Sequence, residues 1–338
     1  MFLIRVLSAL TAVAILSFVQ LVNVSAQTRI TIGVAAMSPR TIPLIIAQEQ
    51  GMFAKHGLEA RIVLIRGAPT LVASLISGDL EVGYTGGPAV VGAAAQGIYL
   101  RILSSISSRL THTLIANPSI KSAEQLRGKR MGIQSIGGST WMHTMLALEH
   151  LGLDIKRDNI SLLVIGDSVL IGQSLEAGRI DAATLDGALV RRLRSKGFSA
   201  IVDLTPHNIP MVNQAIVVSP EFLQKRGDVA ERILMALVDS LAFTLAPQNK
   251  AVVIKTMMKR FQFSDPAVGE EGYQDLQVSV ERKPFPSLDA LRNVRRLMAS
   301  QNPKVANVKP DELIDNRIIR KLEETGYIDR AAAAYTLK

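Results

Sequence analysis

The chain has 338 residues, enough for two lobes with cores of their own, and 48% hydrophobic with 20% charged residues marks a folded globular protein, not a disordered one. Its formal charge of +9 comes from scattered basic residues; even RRLRSK at 191–196 and RNVRR at 292–296 sit on helical patterns, so the one-surface clustering of a nucleic-acid footprint is missing. With no cysteine in the sequence, disulfides, thiolate metal sites and Cys nucleophiles are excluded.

Residues 1–26 read MFLIRVLSALTAVAILSFVQLVNVSA: one early charge at Arg5, an apolar run from Leu7 to Val22, then Val24-Ser25-Ala26, small at the positions a signal peptidase reads. An uncleaved membrane anchor is the other reading of that run. Ser8, Thr11, Ser17 and Gln20 dilute it and no basic cluster follows, so the expectation is cleavage after Ala26 and release into the periplasm. A lipid anchor would need a cysteine at the cleavage site.

Short apolar runs then alternate with helical patterns, as in a sheet covered by helices. RITIGVAA (29–36), EARIVLI (59–65), VGYT (82–85) and LRILSSI (100–106) read as strands, with helices from Pro43 to Gln50, over 68–77 and from Pro88. The pattern restarts with RMGIQS (130–135), SLLVIG (161–166), DAATLD (181–186) and FSAIVD (198–203), and NQAIVVS (213–219) reads as a returning strand. Beyond Ser219-Pro220 the chain is helical, with starts marked at Asp265-Pro266, Ser287 and Pro310. Crossings near 107–118 and 205–214 would join two similar lobes.

One sentence is spelled twice. SLISGDLEVGYTGGPAVV at 74–91 returns 100 residues later as SLEAGRIDAATLDGALVR at 174–191, with Ser74, Leu75, Gly78 and Gly87 matched by Ser174, Leu175, Gly178 and Gly187. Each copy reads as a helix end, a Gly turn, a buried strand and a loop opening another helix. In open α/β sheets, ligands collect beyond the carboxyl ends of the strands, where helix N-termini offer free N–H groups. The loops there are MSPRT, RGAPT, YTGGP, QSIGGST, GDS and LDG. Arg40, Arg66 and Arg109 could clasp an oxyanion; Asp167 and Asp186 could meet an amine or cap helices. Trp141 suits a ligand wall and the core equally. The five histidines show no metal-ligand spacing, and no nucleophile elbow or paired-carboxylate motif stands out.

The run PLIIAQEQGMFAKHGLEARIVLIRGAPTLVASLISGDLEVGYTGGPAVVGAAAQG, followed by SAEQLRGKRMGIQSIGGST, ALEHLGL and SLEAGRIDAATLDGAL, resembles the periplasmic substrate-binding proteins of ABC transporters in the nitrate, sulfonate, taurine and thiamine-precursor group, the NMT1/THI5-like and SsuA-like proteins. The likeness spans residues 30–220 and, more loosely, the tail ELIDNRIIRKLEETGYID. It implies an α/β, two-lobed type II periplasmic-binding-protein fold with a helical C-terminal region. Lobe 1 would comprise 27–115 and 215–338, and lobe 2 would comprise 116–214. Carried over by position, the ligand-facing residues are Ser38, Arg40, Gly67, Thr85, Gly86, Ser135, Ser139, Thr140 and Asp186. The resemblance implies no cofactor or metal. The expected partners are a small polar or anionic organic ligand and an ABC permease, with the protein acting as a monomer and not as an enzyme. The family's yeast enzymes use a cysteine-rich motif absent here. A secreted sensory module and a pyrimidine-synthesis-type enzyme remain the alternative uses of such a scaffold.

Overall fold

The computed structural model describes residues 27–335, so the expected export signal over residues 1–26 lies outside the described residues. The first alternation gives β1 (Thr28–Val34), a 3₁₀ turn (Pro39–Thr41), α1 (Ile42–Glu49), α2 (Met52–Lys55), β2 (Leu58–Leu64), α3 (Ala68–Ser77), β3 (Val82–Thr85), α4 (Gly87–Ala94) and β4 (Arg101–Ser105). The second gives β5 (Thr113–Ala116), β6 (Arg130–Ile133), α5 (Ser139–His150), β7 (Ser161–Val164), α6 (Ser168–Glu176), β8 (Ala182–Leu185), α7 (Gly187–Ser195) and β9 (Ser199–Asp203). After β10 (Ala215–Val218) come α8 (Pro220–Lys225), α9 (Gly227–Leu245), α10 (Lys250–Phe261), α11 (Pro266–Ser279), α12 (Leu288–Gln301), α13 (Arg317–Glu324) and α14 (Tyr327–Ala333).

The two copies of the repeated sentence fold alike. α3 and α6 are followed by Gly78 and Gly178 at φ +80° and +69°, the left-handed values that glycine adopts without a Cβ penalty. The chain then drops into β3 or β8, both buried along their whole length, and climbs into α4 or α7. The Ser and Asp helix starts read from the sequence are caps: Ser219, Asp265 and Ser287 accept from the backbone N–H of Phe222, Ala267 and Ala290.

The sheets share one topology. The first runs β2-β1-β3-β10-β4 and the second β7-β6-β8-β5-β9. In each, three parallel strands meet an antiparallel fourth that pairs on its other side with a fifth. β5 straddles the expected boundary at 115/116 and lies wholly in the second sheet; β10 begins at 215 and lies in the first. Each fourth strand thus arrives from the other half of the chain. The two crossings bond to one another as an antiparallel ribbon, through Ile106 N–H to the Gln214 carbonyl at 2.9 Å, Asn213 N–H to Ser107 at 3.1 Å, Met211 N–H to Ser108 at 3.0 Å and Leu110 N–H to Ile209 at 2.8 Å.

The C-terminal helices return over both lobes. α9 buries Val229, Ile233, Leu237 and Leu241, a stripe at four-residue spacing, and packs on α1. Its buried Asp239 accepts from Lys55 Nζ at 2.7 Å and the Tyr327 hydroxyl at 2.9 Å and contacts His56 Nε2 at 3.0 Å, tying α2, α9 and α14 together. α11 lies on α7 of the second lobe, where a Cβ at Gly272 would stand 3.2 Å from the Ala188 Cβ. No helix among the described residues is long and apolar enough to cross a membrane.

One ion pair links these parts. Arg40, 1% exposed, donates through Nη2 to both oxygens of Asp275 on α11 at 3.1 Å and to the Thr111 carbonyl of the crossing at 2.7 Å. Removing one member of such a buried pair leaves the other uncompensated, at a cost of roughly 3–5 kcal/mol. Arg40→Leu is therefore expected to lower urea stability by about that amount, and Arg40→Leu/Asp275→Leu to recover part of it. An unchanged denaturation midpoint in the single variant would show that the pair carries no such role.

Candidate functional site

The loops at the carboxyl ends of both sets of parallel strands converge on one cavity. The first lobe lines it with Ala35, Ser38, Tyr84, Thr85 and Gly86, the second with Gln134, Ser139, Thr140, Thr184 and Asp186, and the crossings with His112 and Gln214. Its free volume is about 30 Å³, room for a water or two. The lobes are close to shut. Gln134 Nε2 donates to the Ala35 carbonyl across the gap. A Cβ at Gly86 would lie 2.2 Å from Ser139 Oγ, and one at Gly138 would lie 3.8 Å from the Ala68 Cβ. An outer pocket of about 340 Å³ shares Gln134 and is lined by Arg66, Gly67, Ser135, Val164 and Asp167; another, of about 470 Å³, runs past Arg66, Asp167 and Arg260.

Six of the nine residues expected to face ligand line the inner cavity: Ser38, Thr85, Gly86, Ser139, Thr140 and Asp186. Ser38 stands before the Pro39–Thr41 turn, its N–H donating to Thr41 Oγ1 at 2.9 Å and its own Oγ unpartnered. Thr140 Oγ1 accepts from the Gln134 N–H at 2.8 Å, which fixes the loop between β6 and α5. Gly67, at φ +93°, and Ser135 lie in the outer pocket. Arg40 does not line the cavity; its Nη2 is committed to Asp275 and Thr111. The other weighed residues separate just as clearly. Asp167 Oδ1 accepts from the Leu170 N–H at 3.0 Å and so caps α6. Trp141 is buried in the core, and Arg109 donates to Asn208 at the surface.

The electrostatics follow from burial. Asp186, 2% exposed, ends β8 and opens α7, and its Oδ1 has no protein partner. Burial, reinforced by the charge of Asp275 and opposed by Arg40, pushes its carboxyl up to about 7. Burial likewise raises Asp275, with Arg40 again pulling the other way. The rings of His112 and His143 stand 3.8 Å apart between centroids. Burial holds both neutral: His143 falls to about 3 despite its 2.6 Å contact to Asn213 Oδ1, and His112 falls well below its usual range with His143 and Arg40 adding to the effect.

His112, Thr184 and Gln214 also line the cavity and were not candidates from the sequence. Thr184 is the next-to-last residue of the repeated strand β8, and the alternation of side chains along a strand could have exposed it. His112 and Gln214 sit on the crossings, where no loop after a parallel strand marks them. Tyr84 hydroxyl donates to the Arg40 carbonyl at 3.1 Å, bracing the turn that carries Ser38.

A family described as NMT1/THI5 like matches residues 38–251. A Brucella abortus (strain 2308) chain described as a binding protein is 25% identical over 213 residues, 62% of this chain, and the match spans 65% of that relative's length. A solved structure from Bordetella bronchiseptica RB50 superposes with TM-score 0.77 at 20% identity, covering 89% of this chain and 98% of that one. The periplasmic nitrate-binding protein NrtA from Synechocystis PCC 6803 gives 0.70 at 14%, covering 92% and 90%. The periplasmic aliphatic sulphonate binding protein SsuA from Escherichia coli gives 0.64 at 17%, covering 85% and 92%. The desulfurization enzyme DszB shares the fold too, with TM-score 0.63 at 16% identity over 88% of this chain and 99% of that one. These structural likenesses show the periplasmic-binding-protein fold, and the match that starts at Ser38 and runs through both sheets shows that the chain belongs to the NMT1/THI5-like family.

Proposed function

We propose that the protein is an exported solute receptor. It takes a small polar molecule into the interlobe cavity, closes on it, and passes it to an ABC permease, working as a monomer in the periplasm. One observation carries the reading. Ser38 Oγ from the first lobe, Thr184 Oγ1 and Asp186 Oδ1 from the second, and His112 Nδ1 and Gln214 Oε1 from the crossings are buried, belong to residues lining one cavity, and lack protein partners. A buried polar atom without a partner costs about 1–3 kcal/mol. A solute that bonds these atoms removes that cost only when both lobes surround it, which is the differential affinity that a closing equilibrium needs. NrtA and SsuA, which share the fold, are named as nitrate- and sulphonate-binding proteins.

Enzymes occur on the same scaffold, DszB among them. The cavity chemistry favours binding over turnover. Among the described residues no cavity hydroxyl hydrogen-bonds an imidazole, and His143 Nε2 is taken by Asn213. His112, whose Nδ1 has no partner, is made a weak base by burial, which holds it well below its usual range. A general base needs a proton to take within hydrogen-bond reach.

At Gly86 the lobes touch closely, since a Cβ there would meet Ser139 Oγ of the second lobe at 2.2 Å, and it would also meet the Asn213 carbonyl oxygen of the crossing at 2.6 Å. Gly86→Val should lower stability, because the Asn213 carbonyl stays beside β3 in open and shut forms, and should weaken solute binding about tenfold or more through roughly 1–3 kcal/mol of added overpacking against Ser139 in the shut form. Native mass spectrometry of the mature protein should show a retained small molecule in the wild type and its loss in the variant. Small-angle scattering should show compaction with that molecule only in the wild type; equal compaction in both would refute the role of Gly86, and a wild type that does not compact would refute the closure reading.

Asp186 gives a pH signature. Its folded carboxyl, raised to about 7, keeps a proton that the unfolded chain has already released near pH 4. The folded state binds more protons between those values, so this group's stabilising contribution is full at low pH and is lost as pH rises through 7. Asp186→Asn should flatten the fall in melting temperature between pH 4 and 7 and raise it at pH 8. A variant with the wild-type pH slope would overturn the assignment of that proton to Asp186.

A further inference from the structure

We infer that the cavity selects a small organic cation carrying N–H donors, such as an amine, amidine or guanidine, and discriminates against oxyanions. The inference rests on the receptor reading and names its solute class.

No guanidinium lines the cavity. Arg40 gives Nη2 to Asp275 and the Thr111 carbonyl, Arg66 lies in the outer pockets, and Arg109 faces Asn208 at the surface. The charged side chain that does line it is Asp186, 2% exposed with Oδ1 unpartnered. Behind it stand Asp275 and Arg40, so two buried carboxylates face one guanidinium. His112 and His143 contribute no positive charge, and Glu271 and Asp203, the next groups acting on Asp275, are acidic. With both carboxyls ionised the local balance is negative, and an entering cation offsets it and favours that ionised state while an entering anion worsens it.

The hydrogen-bonding inventory points the same way. Two amide donors at the site are used, Gln134 Nε2 by the Ala35 carbonyl and Asn213 Nδ2 by the Arg109 carbonyl at 2.9 Å. Left over in the lining are the acceptors Asp186 Oδ1 and Gln214 Oε1, with hydroxyls at Ser38 and Thr184 and the ring nitrogen Nδ1 of His112 that can accept or donate, while the unpartnered donors Nε and Nη1 of Arg40 stand behind the lining. The Gly87 N–H at the start of α4 is taken by the Val212 carbonyl at 3.0 Å, and the positive end of α7 is met by Asp275, which accepts from the Gly187 N–H, with Asp186 at the N-cap position. The overall charge of +9 is spread over the surface and screened beyond about 8 Å at physiological salt.

The test uses the mature chain, freed of any co-purified solute by unfolding and refolding, with acetamidine, methylguanidine and ethylamine as cationic probes and nitrate, methanesulfonate and acetate as anionic ones. Each is titrated by calorimetry and thermal shift at pH 8. The cations should bind and raise the melting temperature, and the anions should do neither. Asp186→Asn should weaken cation binding at least about tenfold while keeping the wild-type circular dichroism, and Gln214→Leu should weaken it less. Cation affinity should also climb between pH 6 and 8 as Asp186 ionises beside Asp275, Arg40, His112 and His143. Binding of the anions in place of the cations overturns the inference and leaves the receptor reading standing. Equal cation binding by Asp186→Asn overturns the inference as well. Binding of neither class overturns both.

Discussion

The chain crosses between its two sheets twice, and each crossing delivers the antiparallel fourth strand of the sheet it enters. Everything at the site depends on that exchange. Because β5 must pair with β8 and β10 with β3, the two sheets are held with the carboxyl ends of their parallel strands facing one gap. The crossings bond to each other along their length, so the joint is a two-stranded ribbon instead of a pair of loose linkers. A ribbon of this kind can bend about its own axis while resisting the sliding that would misalign the loops on either side.

The ribbon also places chemistry. His112 and Gln214, on its two strands, line the cavity beside the loop residues of both lobes. Arg40 reaches past the cavity to Thr111 on the ribbon and Asp275 on α11, which ties the first lobe, the joint and the helix resting on the second lobe into one buried electrostatic unit. An Arg placed in this way braces the site, with its Nη2 committed to Asp275 and the Thr111 carbonyl. Its charge still matters there, because it offsets one of the two buried carboxylates and holds Asp186 lower than burial and Asp275 alone would set it.

Much of this was legible in the residues. The duplicated SL…G…G pattern announced two equivalent sheets, because a left-handed Gly turn before a short apolar strand leaves few other folds, and Gly78 and Gly178 both take that conformation. Ser219, Asp265 and Ser287 announced their helices by the capping chemistry that they perform. β5 was not legible: four residues, Thr113–Ala116, are too few to show a period, and they lie inside what reads as a crossing. The partner of Arg40 was hidden by distance, since Asp275 lies 235 residues along the chain. Of nine loop positions carried over from the family, the loops were placed at the gap by topology, but which side chains face the inner cavity was decided by tertiary packing that no local pattern encodes.

The Gln134 side chain grips its neighbour across the gap by the main-chain carbonyl of Ala35, not by a side chain. The keeper of this latch is therefore present whatever residue occupies position 35, provided that the residue fits. Natural variation at that wall of the pocket could reshape what enters without unfastening the door, so solute preference and the capacity to shut can drift separately in descendants of this chain.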